Sequence, residues 1–337
     1  MLSGKRVVVT GGTGSLGRAL VTRLLEGDVG LPEHVVVFSR SEALQHEMRL
    51  SFLHQRVATD EIVYDEERHR RLVFRIGDIR DFAAVAAVLE NADLVFHAAA
   101  MKQVPTCEYH PVEAVNTNVL GARNIVRAIR EHSLAIETVV GISTDKACKP
   151  VNVMGMSKAL QERILLEGGL QCPGTRFVVA RYGNVIASRG SVVPLFEEQL
   201  EHGGPLTVTT PEMTRFLLSL DQAVDTVFEA VRSGRQGETY VPRLPAVRID
   251  DLARSMIGSR DVAVEYVGVR PGEKIHEVLV SEEEASRTYE RGDHLAIAPI
   301  LPELRSEQPE GEPFSGREYS SADEVRSPDA IPGLSPA

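Results

Sequence analysis

The chain has 337 residues, 43% hydrophobic and 25% charged, enough apolar side chain for one large domain or two closely joined ones, and this composition excludes general disorder. Its 37 basic and 48 acidic residues give a formal charge of −11, which argues against a protein that wraps nucleic acid or an anionic membrane by bulk electrostatics. Cys107, Cys148 and Cys172 make no disulfide framework, no Cys/His run has zinc-ligand spacing, and neither a cleavage-site pattern nor a run of about 18 apolar residues occurs, so a cytoplasmic chain with no metal and no membrane span is expected.

In chain order, short β-branched runs recur: VVVT at 7–10, VVVF at 35–38, LVFRI at 72–76, LVFHA at 94–98, VVGIS at 139–143 and FVVAR at 177–181. Continuous apolar runs of this kind suit strands buried on both faces of a parallel sheet. Helical periodicity lies between them, as in Leu16 to Leu25 and Val112 to Arg130, and the alternation predicts right-handed βαβ units. Residues 1–182 therefore read as an α/β, Rossmann-like, doubly wound parallel sheet. From residue 183 the pattern turns irregular, with GN, RG, GG and TTP turns, a helical stretch from Asp221 to Arg232 and the turn VRPGEK at 269–274. Residues 183–301 are expected to be mainly a smaller C-terminal substrate-binding lobe, from which the chain can return to the sheet. The run at 58–71 is dense in charges of both signs and reads as a solvated face. Residues 302–337 hold six prolines and eight acids against three arginines, −5 of the net charge, and by composition read as a disordered tail.

After the first strand comes Thr10-Gly11-Gly12-Thr13-Gly14-Ser15-Leu16-Gly17, leading straight into a helical pattern. Glycine allows a tight turn, close approach of the backbone to a pyrophosphate and contact between helix and strand, while the helix N-terminus offers free N–H donors. With a strand before it, a helix after it and a second strand at the expected distance, the segment predicts a dinucleotide site at Gly11, Thr13, Gly14, Ser15, Leu16 and Gly17. The second strand ends in Phe38-Ser39-Arg40, where an NAD-specific protein commonly has an acid. A carboxylate there repels a 2′-phosphate, whereas the Ser39 hydroxyl and the Arg40 guanidinium bind it, so NADP is expected rather than NAD. Asp78, in the Gly77-Asp78-Ile79 turn after the third strand, is a candidate acceptor from the adenine amino group, with Ile79 beside it. Ala98, Ala99 and Ala100 end the fourth strand with the small side chains that close passage of a cofactor needs.

To these features are added Met101-Lys102-Gln103-Val104-Pro105, Ser143-Thr144-Asp145-Lys146-Ala147, Met154-Gly155-Met156-Ser157-Lys158 and the stretch from Arg181-Tyr182-Gly183-Asn184 to Arg189-Gly190-Ser191. Together they resemble the extended short-chain dehydrogenase/reductase superfamily over nearly the whole chain. Within it, they resemble the bacterial soluble UDP-N-acetylglucosamine 4,6-dehydratases of polysaccharide biosynthesis, in the branch that inverts C5. The resemblance implies oxidation of the sugar at C4, loss of water across C5–C6 with Lys146 as base and Asp145 as acid, and return of the hydride to C6. Thr144 is then placed at the C4 hydroxyl, and Lys158 at the nicotinamide ribose. Lys102 would contact both cofactor and substrate, and Asn184, Arg189, Arg215, Arg270 and Glu273 the nucleotide half of the sugar nucleotide. A homo-oligomer is implied through the long helix begun by Asn116-Thr117-Asn118. Contrary to the composition of the tail, order is implied around Glu318-Tyr319-Ser320-Ser321. His97 and Cys107 are assigned to packing.

The superfamily's usual catalytic pair is Tyr-x-x-x-Lys, and the tyrosine's place here is Met154. A thioether cannot deprotonate a hydroxyl. Two readings stay open: a catalytically silent NADP-binding regulator, or an enzyme whose acid–base work has moved to Asp145 and Lys146. A 4-epimerase, in which only C4 is oxidised and reduced, is the other enzymatic reading. For Lys146 to act as a base, desolvation and a nearby cation such as Lys158 are expected to lower its pKa toward neutrality, while burial keeps Asp145 protonated.

Overall fold

The computed structural model describes residues 1–55, 63–64, 70–186 and 191–331. The charged run at 58–71 lies largely outside them. The first half alternates strand and helix: β1 (Arg6–Thr10), α1 (Ser15–Glu26), β2 (His34–Ser39), α2 (Glu42–Leu53), β3 (Leu72–Ile76), α3 (Phe82–Leu89), β4 (Leu94–His97), α4 (Gly121–Glu131), β5 (Thr138–Thr144), α5 (Val153–Gln171) and β6 (Arg176–Tyr182). The run that predicted β1 shows why it is central. Val7 and Val9 pack with Leu20 and Leu24 of α1, and Val8 on the opposite face joins Leu89, Ile125 and Leu165 from α3, α4 and α5. A strand covered by helices on both sides has no polar face to offer, which is why its sequence does not alternate.

The second half contains α6 (Val192–Glu201), β7 (Thr214–Leu218), α7 (Leu220–Ser233), β8 (Thr239–Pro242), β9 (Ala246–Arg248), α8 (Ile249–Ile257), β10 (Val278–Val280), β11 (Thr288–Arg291), β12 (His294–Ile297), β13 (Glu312–Pro313) and β14 (Tyr319–Ser320). Among the described residues the main sheet has ten strands in the order β13-β11-β12-β8-β6-β5-β4-β1-β2-β3. The strands from β3 to β8 run parallel, and β12, β11 and β13 add on antiparallel. The strand order reverses between β1 and β4, the position at which open α/β sheets leave a crevice at their carboxyl ends. No helix among the described residues is long and apolar enough to cross a membrane.

The smaller lobe is not one continuous stretch. α6, β7, β9 and α8 gather their own core of Phe196, Met213, Leu217, Val247 and Leu252, while β8, β11 and β12 return to the main sheet. The acidic, proline-rich segment has defined structure up to Ile331. Its strand β13 pairs with β11, its strand β14 pairs with β10, and Ile331 is buried in the lobe core. The Tyr319 ring lies 5.1 Å from that of Phe216. Its hydroxyl accepts from the Leu244 N–H at 2.7 Å and donates to the Leu244 carbonyl at 3.1 Å. Averaged composition hides these few anchors among the charges.

A buried charge cluster joins the halves. Arg181 of β6, 2% exposed, donates to both carboxylate oxygens of Glu162 on α5 at 2.9 and 2.7 Å, and to both of Glu284 at 2.8 and 2.9 Å. It also donates to the Leu279 carbonyl of β10 at 2.9 Å. Removing the guanidinium leaves Glu162 buried without its ion-pair partner and Glu284 with only Arg287, 3.5 Å away. Arg181→Met is expected to lose about 3–5 kcal/mol of stability, read as a lower urea midpoint; an unchanged midpoint would show the cluster to be neutral for stability.

Candidate active site

A cleft of about 690 Å³ follows the carboxyl edge of the sheet and is lined on one side by the loop between β1 and α1. Gly11 has φ +68°, and a Cβ there would sit 2.7 Å from the Ala99 nitrogen. A Cβ on Gly17 would sit 2.5 Å from the Gly12 Cα, so the helix meets the turn only through glycine. Gly14 is the N-cap of α1 and supplies no side-chain acceptor, and the first turn carries no acid. The first N–H groups of α1 are thus left without a side-chain cap beside the cleft, and an uncapped helix N-terminus of this kind suits a pyrophosphate.

The rest of the predicted cofactor set converges on the same cleft. Gly11, Thr13, Gly14, Ser15, Leu16, Gly17, Ser39, Arg40, Ile79, Ala98, Ala99, Lys102 and Lys158 all line it. Gln45, which the sequence did not single out, fixes the end of β2: its amide donates to the Ser39 carbonyl and hydroxyl at 3.0 Å and to the Arg75 carbonyl at 2.9 Å. Asp78 does not line the cleft. Its carboxylate is taken by Arg80, at 2.9 and 2.6 Å, and lies 3.9 Å from Arg40. Asn118, read from the sequence as part of an interface helix, is buried and holds the Met101–Lys102 backbone from both sides, accepting from Met101 N–H at 2.7 Å and donating to its carbonyl at 3.0 Å.

At the carboxyl end of β5, Asp145 is fully buried and Lys146 borders the cleft, with its Nζ donating to Asp145 Oδ1 at 3.0 Å and to Asn184 Oδ1 at 3.3 Å. The Thr144 hydroxyl donates to the same Oδ1 at 2.9 Å, and Asp145 Oδ2 has no hydrogen-bond partner among the described residues. A second carboxylate, Glu277, stands 3.5 Å from Lys146 Nζ. Burial pushes Asp145 up, and the Glu277 charge adds to this, outweighing Lys146. An unpartnered carboxyl oxygen is tolerated best on a neutral acid, so the geometry agrees with that direction.

Lys146 departs from expectation. Burial pushes it down, but the carboxylates of Asp145 and Glu277 outweigh burial and hold it above the ordinary lysine value. The Glu277 carboxylate, 3.5 Å away, is worth on the order of 5 kcal/mol to the ammonium at an effective dielectric of about 20, and the Asp145 oxygen accepts a hydrogen bond from it as well. Burial does lower two other cleft lysines, Lys102 and, further, Lys158. Lys158 is brought to about 7 against partial support from Glu162, while its Nζ donates to the Ile142 carbonyl and to Gln161 Oε1. Met154, one turn before it on α5, lines the cleft and packs on Cys107 and Ala114. His97 is buried with Nδ1 2.8 Å from the Thr10 hydroxyl, and burial, with the Lys158 charge, brings it to about 3.

Of the predicted substrate residues, Lys102 and Asn184 line the cleft. Arg215 is buried and donates to the carbonyls of Thr214, Lys274 and Ile275 at 2.7, 2.9 and 3.0 Å, and Glu273 accepts weakly from Thr209 and from the Arg270 N–H at 3.4 Å. Arg215, Arg270 and Glu273 are absent from the described cleft lining, and Arg189 lies outside the described residues. The lining residues to which the sequence assigned no role include Phe38, Thr117, whose buried hydroxyl has no partner among the described residues, and Tyr182, whose phenol burial pushes up. Tyr182 sits inside the quoted Arg181-Tyr182-Gly183-Asn184 motif, which was the available signal.

Because the folded protein releases the Lys158 proton near 7 and the unfolded chain near 10.5, the unfolded state holds the extra proton between those values. Stability therefore rises with pH across that window. Lys158→Met removes this contribution, so the melting temperature of the variant should climb less than that of the wild type from pH 7 to 10. Equal slopes would mean that Lys158 titrates as an ordinary lysine.

Comparison with known proteins fits this geometry. A family model described as polysaccharide biosynthesis protein matches residues 7–299. A curated protein of Rickettsia typhi named UDP-glucose 4-epimerase is 42% identical over 303 residues, covering 88% of this chain and 84% of that protein. The X-ray structure of Pen from Bacillus thuringiensis superposes with a TM-score of 0.85 at 32% identity, covering 97% of each chain. DesIV of Streptomyces venezuelae, a dTDP-glucose 4,6-dehydratase solved with NAD and TYD bound, has a TM-score of 0.66 at 23% identity over 80% of this chain and 86% of its own, a likeness that shows the fold. The chain belongs to the polysaccharide biosynthesis protein family, within the extended short-chain dehydrogenase/reductases.

Proposed function

We propose that the protein is an NADP-dependent nucleotide-sugar 4,6-dehydratase that converts UDP-N-acetylglucosamine to a 4-keto-6-deoxy sugar nucleotide with inversion at C5. The observation that carries this reading is the Asp145–Lys146 pair, one side chain buried and the other at the cleft, 3.0 Å apart at the end of β5. Elimination needs both an acid and a base in addition to oxidation at C4, whereas epimerisation at C4 needs neither at C5 and C6. The α1 N-terminus, Ser39 and Arg40 would hold NADP, which would take the hydride from C4 and give it back at C6.

The chain's own groups do the rest. Thr144 would bond the C4 hydroxyl, whose proton leaves to water in the cleft as the hydride is lost, and Lys158 would supply field to the developing alkoxide. The 4-ketone acidifies the C5 proton, which Lys146 removes, and Asp145 gives its proton to the departing C6 hydroxyl, which leaves as water; C6 then takes back the hydride removed from C4, and C5 takes a solvent-derived proton. Lys102 and Asn184 hold the sugar nucleotide from the cleft, and Arg189, Arg270 and Glu273 serve its nucleotide half. With Lys146 held protonated, only its unprotonated fraction acts at neutral pH, and the pH profile of kcat has two limbs, one set by Lys146 and one by the proton that Asp145 must keep.

The name carried by the 42% identical relative favours a second reading, a UDP-sugar 4-epimerase. NMR of the product formed from UDP-N-acetylglucosamine in deuterated water separates them. Dehydration gives a 6-deoxy product with deuterium at C5, and epimerisation keeps the C6 oxygen and changes C4 alone. A chain that binds NADP and turns over neither UDP-N-acetylglucosamine nor UDP-glucose would leave a silent binder and sink both readings.

Lys146→Ala should lower kcat by about 10²–10⁴-fold while NADP affinity stays; undiminished turnover would remove Lys146 from the mechanism. Arg40→Ala should weaken NADP relative to NAD by about tenfold to a hundredfold, measured by fluorescence titration, since it removes one charge-assisted hydrogen-bond donor set from the 2′-phosphate. Equal loss for both cofactors would count against NADP preference.

A further inference from the structure

Glu277, just before β10, is 2% exposed and belongs to none of the motifs that suggested the site. Its Oε1 lies 3.5 Å from Lys146 Nζ and 4.0 Å from Arg215 Nε, and its Oε2 lies 3.4 Å from Lys274 Nζ without accepting a well-formed hydrogen bond from any described residue. The backbone beneath it is pinned. Its N–H donates to Ser321 Oγ at 2.9 Å, and its carbonyl accepts from the Ser321 N–H at 2.8 Å. Ser321 Oγ is 2.7 Å from Thr214 Oγ1, which is 2.9 Å from His276 Nδ1. The C-terminal segment thus decides where this carboxylate stands.

Local stability does not account for it. Arg215 already gives its guanidinium to three carbonyls, and the Lys274 ammonium donates to the Cys148 carbonyl at 2.6 Å. The group whose surroundings Glu277 changes most is Lys146, which reaches the cleft when Glu277 does not. We propose that Glu277 is a positioning residue of the acid–base pair, a fixed negative charge that keeps protons on Asp145 and Lys146 and acts on the reaction through them without touching substrate. The inference rests on the dehydratase reading.

The groups facing Glu277 are Asp145 and Lys146 from the turn after β5, Arg215 from β7, Lys274 and His276 from its own segment, and the hydroxyl of Ser321 from the C-terminal segment. Burial raises the Glu277 carboxyl, but the three cations outweigh burial and hold it below the usual range. It stays ionised while its neighbours titrate. Its charge pushes Asp145 up and holds Lys146 up.

The test is the pH dependence of kcat and kcat/KM for the full chain with NADP and UDP-N-acetylglucosamine, with the product followed by NMR. Glu277→Gln should move both limbs of the profile to lower pH by about one unit, because Lys146 and Asp145 both lose the same neighbouring charge. KM should change less than kcat. Glu277→Asp keeps the charge and should keep the limbs in place. A folded, active Glu277→Gln variant with unmoved limbs overturns the inference. If that variant does not fold, Ser321→Ala, which frees the Glu277 backbone, should give a smaller shift in the same direction, and no shift again overturns it. A wild type that forms no 4-keto-6-deoxy product overturns the dehydratase reading itself, whatever the variants do.

Discussion

One ammonium group lies between two buried carboxylates, 3.0 Å from Asp145 and 3.5 Å from Glu277, and much of the surrounding architecture follows from the need to make that tolerable. Two anions and one cation in a low-dielectric site leave an excess of negative charge, which must be neutralised by a proton or by further cations. The structure uses both. Asp145, with one oxygen unpartnered, takes the proton, and Glu277 takes Arg215 and Lys274. Arg215 is then held by main-chain carbonyls rather than released to the cleft, so a residue that looks in the sequence like a phosphate ligand serves in the free protein as part of the charge balance.

The same constraint explains why the C-terminal segment is part of the fold. β10, which follows Glu277, is held from one side by β14 and from the other by Arg181, through the Leu279 carbonyl. Without β14 the Glu277 N–H and carbonyl would both lose their partner in Ser321. A tail of low apolar content can be ordered when it supplies backbone hydrogen bonds to a buried strand and a few anchors such as Tyr319 and Ile331.

What could be read in advance has a local cause. Gly11 and Gly17 were legible because each must lack a Cβ for a reason contained in the turn itself, and β1 because burial on two faces erases alternation. Glu277 was not legible, since its role comes from the register of β10 with β14 and from the distance to a turn more than a hundred residues away in sequence. For the same reason the structure reverses the expected direction for Lys146: desolvation and a nearby cation such as Lys158 were expected to lower it, and the fold supplies acidic neighbours that raise it. The division into a sheet and a lobe was legible only in outline, because the strand that returns the chain to the sheet at Thr239–Pro242 is four residues long and carries a proline.

Met154 closes the argument about where proton transfer can occur. A tyrosine one turn before Lys158 would put a phenol in the cleft beside a lysine that burial has brought to about 7. With methionine there, packed on Cys107 and Ala114, that position offers no proton. Lys158 instead spends its donors on the Ile142 carbonyl and on Gln161, the first being a main-chain group of β5 two residues before Thr144. Lys158 is then the one titratable group of α5 among the described cleft lining, and on the dehydratase reading the acid–base pair lies at the end of β5. There Thr144, Asp145 and Lys146 are already linked by hydrogen bonds, and burial and the neighbouring carboxylate set their charges. On the dehydratase reading, methionine in the place of the phenol removes one route for a proton and leaves the adjacent one, through Thr144, Asp145 and Lys146.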